Sequence, residues 1–233
     1  MPLPMVHLSV AKKIIDAGFN ANRLSQFFLG SIAPDAIHIR KDADRLAKND
    51  THLIPKGEKW IDVNEDDYFS FMVNYIDKNK DKADYDFLWG YGIHILTDMY
   101  WSKSVYLEFV EKFNKDTAPV QEERWAYYND TDVLDLLLYN ECNWRIDVWL
   151  CLQNAEYSDF INLLSAQEIR QWNERTLHWY DSDASKHTNP IKYIMQSDIE
   201  DFITSCSETI WCKNKSLTRQ TVGVSWSEKP AIL

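Results

Sequence analysis

Residues 89–101 read WGYGIHILTDMYW. His94 and Asp98 stand four apart in an otherwise apolar and aromatic run. Positions i and i+4 are neighbours on a helix, with Cβ atoms roughly 5–6 Å apart. The run therefore predicts a buried helix with two titratable groups on one stripe. Both can reach one metal ion, since zinc takes a His nitrogen at about 2.0–2.1 Å and a carboxylate oxygen at about 2.0–2.2 Å. A buried His–Asp hydrogen bond without metal is the competing reading, and the pair alone does not choose between them.

On both sides of this run the periodicity is helical. With 6 Gly and 7 Pro in 233 residues, the turns an all-β chain needs are scarce. Ser9 is placed to cap VAKKIIDAG, and Gly18 to end it. ANRLSQFFLG forms a second short helix ending at Gly30. Residues 31–64 show no period and read as a long polar loop. A helix over 65–80 turns Phe69, Met72, Val73 and Ile76 inward, and a long one runs from 85 to about 114. VLDLLLYNECNWRIDVWLCL follows. Ser165 and Glu168 make a capping box before IRQWNERTLHWY, and 198–211 closes the set. Residues 213–233 read as a tail with one strand at QTVGVSW. The expectation is an all-α fold, a single multi-helix domain over 1–233.

The chain is 45% hydrophobic with 10 Trp, 12 Tyr and 10 Phe, ample for a sizeable core. Trp89, Tyr91, Tyr100 and Trp101, at helical spacing, read as core. The net charge of −11 and the lack of a long Lys/Arg run argue against a nucleic-acid partner. No run approaches the ~18 apolar residues of a spanning helix, and the start lacks the pattern of a signal peptide. Cys142, Cys151, Cys206 and Cys212 have no CxxC spacing. Reduced thiols in a cytoplasmic protein are the expectation.

Other candidate ligands stand beside apolar segments. Asp35 follows Pro34 in FFLGSIAPDAIH, at the end of a helix, where proline's fixed φ orients it. An ordinary Pro-Asp turn is the alternative. His52 lies within the aperiodic loop, and His7 just before the first helix. His38 and Arg40 either face an anionic substrate or are solvated loop. His178 and His187 lie far from these motifs.

The segments HLSVA from His7, FFLGSIAPDA, THL and YGIHILTDMYW, in that order, resemble the zinc-dependent phospholipase C family, relatives of the S1/P1 nucleases. The resemblance covers roughly the first 105 residues. The remainder, with YYNDTD at 127–132, is similar to bacterial members known only as hydrolases. The resemblance implies a helical fold of the phospholipase C/P1 nuclease type, a cluster of one to three zinc ions, and His7, Asp35, His52, His94 and Asp98 as ligands. Asp35, His52, His94 and Asp98 would make one site, with Asp98 bridging to a second ion at His7. Asp35 would double as the general base. The implied activity is hydrolysis of a phosphodiester or phosphomonoester, with a small phosphoester or a phospholipid headgroup as substrate. Iron, manganese or nickel suit the same ligands.

The chain departs from that pattern. The family's further His…Glu pair after HxxxD is missing, and the next His after Asp98 is His178. Asp130 and Asp132 are placed to rebuild the lost site, although Asp132 also suits an N-cap before VLDLLL. An eroded site on a helical binding or scaffold protein is therefore the alternative function. An HD-type phosphohydrolase needs a His-Asp dipeptide, which the chain lacks. Glu-x-x-His and HExxH are absent as well.

Overall fold

The computed structural model describes residues 2–116, 119–181 and 190–223, with side chains as far as residue 217. Among these residues the chain is all-helical. In order it forms α1 (Pro4–Asp16), α2 (Leu24–Gly30), α3 (Arg45–Thr51), α4 (Glu65–Asn79) and α5 (Tyr85–Lys103). Then come α6 (Val105–Lys115), α7 (Glu123–Glu141), α8 (Arg145–Gln153), α9 (Ala166–His178) and α10 (Gln196–Gly223). Short 3-10 turns occur at Ala33–Ile39 and Trp60–Asp62. No described helix is long and apolar enough to cross a membrane.

α5 holds the predicted run and is the axis of the molecule. It is buried continuously from Asp86 to Met99, as a helix apolar on all sides must be. Asp84 starts it, its side chain accepting the amides of Asp86 and Phe87. Trp89, Tyr91 and Trp101 are core, as expected. α1, α2, α4, α6 and α10 pack around it. The contact with α2 is made backbone to backbone: a Cβ on Gly90 would stand 2.0 Å from the Phe27 carbonyl oxygen, and one on Gly30 2.2 Å from that of Phe87. Only glycine admits this approach, and it lays the residues after α2 against the middle of α5.

Several local expectations are corrected. α1 begins at Pro4, so Ser9 is no cap: its hydroxyl donates to the Met5 carbonyl inside the helix. Pro4 occupies the first turn, and the Asp135 carboxylate, 130 residues away, takes the Met5 amide. Gly18, at φ +103°, follows the helix end as predicted. Residues 31–64 are not a loop throughout, because they hold α3 and the two 3-10 turns. The helix from 85 to 114 is two helices, broken at Ser104 (φ −123°, ψ −90°). The predicted capping box before α9 is present. The supposed tail is α10 as far as Gly223, so the first half of QTVGVSW is helix, and its second half lies outside the described residues.

Candidate metal centre

Four separate segments bring five side chains to one place. His94 and Asp98 come from α5, as the spacing predicts. His7 comes from α1, inside the helix and not before it. Asp35 sits in the 3-10 turn after α2, and His52 ends α3. All five are buried, Asp35 the least at 7% exposure.

The cluster is built from near contacts that are not hydrogen bonds. His52 Nε2 lies 3.4 Å from Asp35 Oδ1 and 3.5 Å from Asp98 Oδ2. His94 Nε2 lies 4.0 Å from Asp35 Oδ2 and 3.9 Å from Asp98 Oδ2. His7 Nε2 is 3.6 Å from the other Asp98 oxygen, Oδ1. Two tetrahedral ligands held about 2.05 Å from zinc stand about 3.3 Å apart. The observed edges run from that value upward, past the usual range of a hydrogen bond.

Most of these atoms make no hydrogen bond. His7 Nδ1 and Nε2, Asp35 Oδ1, His52 Nε2, His94 Nε2 and both Asp98 oxygens are buried and make no hydrogen bond. An isolated orphan costs about 1–3 kcal/mol. Orphans that converge on one point form a group that could hold a cation. The far sides of two imidazoles are fixed instead. His94 Nδ1 donates to the Ser31 carbonyl at 2.8 Å, and His52 Nδ1 to the Lys48 carbonyl at 3.0 Å. This leaves each Nε2 with its lone pair toward the cluster, the arrangement that orients metal-binding histidines. The Thr51 carbonyl beside His52 accepts from the Tyr91 hydroxyl, and the Leu53 carbonyl from Tyr68. Leu53 itself has φ +51°.

Burial pushes the pKa of His7 and His94 down, and these two rings stack in parallel at 3.7 Å. Both are neutral at pH 7, the form that binds metal. Burial raises the Asp98 carboxyl. The five residues thus fit a divalent ion. Asp35, His52 and His94 make one three-ligand set, and His7, His94 and Asp98 make a second. His94 cannot serve both, since its Nε2 has one lone pair and its Nδ1 is bonded to Ser31.

The remaining candidates lie elsewhere or do something else. Asp130 does not rebuild a metal site: its carboxylate accepts the backbone amides of Lys192, Tyr193 and Ile194. Asp132 lies well inside α7 and is no cap. Arg40 does not face the cluster, because its guanidinium is bound to Glu168 at 2.7 and 3.2 Å. His38 stands at the edge of the cluster, 3.5 Å from Asp35 Oδ1 and 43% exposed. His178 is exposed and pairs with Asp181, and His187 lies outside the described residues. Sequence reasoning missed the carbonyls of Ser31 and Lys48 and the cap at Asp135, all backbone or long-range partners without a side-chain signature.

Comparison of the chain with protein-family models, with curated proteins and with solved structures finds no match.

Proposed function

We propose that the chain is a metal-dependent phosphoesterase, with zinc as the simplest ion and a small phosphoester or phospholipid headgroup as substrate. The observation that carries this reading is the convergence of buried, unbonded His and Asp atoms. The order and spacing of the motifs that resemble zinc-dependent phospholipase C supply the reaction class. Asp35, His52, His94 and Asp98 would hold one ion, and His7 with the second Asp98 oxygen would help hold another. A divalent ion there supplies Lewis acidity to a phosphoryl oxygen and acidifies a water. The chain's own contribution is orientation. The Ser31 and Lys48 carbonyls fix two imidazoles, and the apolar wall of α5 keeps bulk water out. Asp35, the most accessible ligand, is the group placed to take a proton from an incoming water.

One observation favours a second reading, a closed metal centre without catalysis. All five ligands are at most 7% exposed, and a site closed to substrate is the mark of structural metal. Elemental analysis of the purified protein, followed by assay against p-nitrophenyl phosphate and bis(p-nitrophenyl) phosphate, separates the two. One or two ions per chain with hydrolysis of either ester supports the enzyme. Bound metal with no turnover supports the closed centre. No metal, even after zinc is added, rejects both.

A further inference from the structure

We infer that Lys48, held by His38 at the exposed edge of the cluster, recognises a non-esterified phosphate oxygen, so that the preferred substrate is a phosphomonoester dianion. The inference rests on the phosphoesterase reading and adds the substrate class to it.

The chain carries 36 acidic and 25 basic residues. Accordingly, many of its cations are neutralised by carboxylates, as in Arg40–Glu168, Lys112–Asp198 and Lys103–Glu65. Lys48 has no carboxylate partner among the described residues. Its Nζ lies 3.1 Å from His38 Nε2 instead. An ammonium can only donate, so that ring nitrogen accepts, and the imidazole proton sits on Nδ1. The same Nε2 is 3.5 Å from Asp35 Oδ1. One imidazole atom thus separates an uncompensated positive charge from the most accessible of the five ligands. Trp172 backs the His38 ring, with centroids 5.9 Å apart.

Lys48 has two separable parts. Its carbonyl fixes His52 from inside, while its ammonium lies on the outer side with His38. The arrangement distinguishes substrates by charge. A diester phosphate has two non-bridging oxygens and one negative charge, whereas a monoester has three and up to two. The third oxygen, turned away from the buried cluster, would meet the ammonium beside His38. Lysine acts there as a point charge, forming a charge-assisted hydrogen bond.

Calorimetric titration of the zinc-supplemented protein with inorganic phosphate and with dimethyl phosphate tests this. The wild type is expected to bind inorganic phosphate at least ~10-fold more tightly. Lys48→Met is expected to lose about 10-fold for phosphate, to change less than about 2-fold for dimethyl phosphate, and to keep its zinc content, because the His52 bond uses the backbone. Lys48→Arg retains the preference. Equal weakening for both anions, an unchanged phosphate affinity in Lys48→Met, or no phosphate binding by the wild type overturns the inference. The parent reading fails on separate grounds, namely no bound metal or no ester hydrolysed. A Lys48-dependent phosphate preference without turnover would sustain this site and sink the enzyme.

Discussion

Asp98 and Asp130 are equally buried, at 0 and 1% exposure, in opposite surroundings. Asp98 faces three imidazoles across 3.5–3.9 Å and accepts no hydrogen bond. Asp130 collects three consecutive backbone amides at 2.6–3.0 Å. Asp135, nearby on α7, accepts the Met5 amide and the Tyr180 hydroxyl. The half of the molecule around α7 thus uses buried carboxylates to tie segments together. At the middle of α5, Asp98 is instead left empty-handed in a ring of lone pairs. Burial alone does not mark a functional carboxylate; burial without partners does.

If that contrast holds, Asp130→Ala is the most damaging of these changes. It strands three amides in the core and releases the segment entering α10. The expected loss is about 3–5 kcal/mol in urea unfolding. Zinc content per folded chain should not change. A variant that sheds its zinc while keeping its stability would place Asp130 in the metal site after all.

The Asp135 carboxyl is pushed up to about 7 by burial, against the pull of the Tyr180 and Met5 bonds. Its proton is held more tightly in the folded chain than in the unfolded one, where an Asp titrates near 3.9. Its contribution is therefore complete below about pH 4 and is lost as pH rises toward 7, a fall on the order of 4 kcal/mol. Asp135→Asn mimics the protonated form and should flatten this slope. The readout is the difference between the stability–pH curves of the two proteins, because the lowered pKa values of His7 and His94 act in the other direction and are common to both. Parallel curves would show that Asp135 titrates normally.

Asp98→Asn should behave unlike either change on α7. Without metal, the variant is expected to be as stable as its parent, or up to ~2 kcal/mol more stable, since an unpaired buried charge has been removed. Zinc at 100 times its dissociation constant should stabilise the parent by about 2.7 kcal/mol and the variant hardly at all. Thermal melts with and without zinc measure both. A metal-free Asp98→Asn protein that is strongly destabilised would make the cluster a structural network.

What the sequence made legible follows the range of the interactions. The i, i+4 stripe on α5, the capping box at Ser165 and Glu168, and the apolar face of α4 are local patterns, and the structure repeats them. The motif order at His7, Asp35, His52, His94 and Asp98 pointed to one place, and the fold brings all five together. The errors on α7 are long-range. Asp130 and Asp135 take their partners from 62 to 64 and from 130 residues away. No window over YYNDTD contains that information, so a cap or a ligand was the only reading within reach. The segment 31–64 misled for another reason. Its 3-10 turns and the one largely exposed helix α3 lack the apolar 3.6-residue period that marks an amphipathic helix.

Arg40 gives the smallest effect and bears on where the substrate enters. It follows His38 by two residues, yet its guanidinium grips Glu168, the same side chain that closes the capping box of α9. The link joins the turn that carries Asp35 to α9 from the outside, with the Arg40 side chain 40% exposed. Solvent screening limits such a pair to about 1 kcal/mol or less. Arg40→Ala is therefore expected to lower stability by no more than that and to leave zinc content and phosphate affinity within about 2-fold. Lys48→Met, which removes one charge from the same rim, lowers phosphate affinity about 10-fold. Matching phosphate losses in the two variants would mean that the rim acts through its total charge. Loss in Lys48→Met alone locates recognition at the ammonium beside His38.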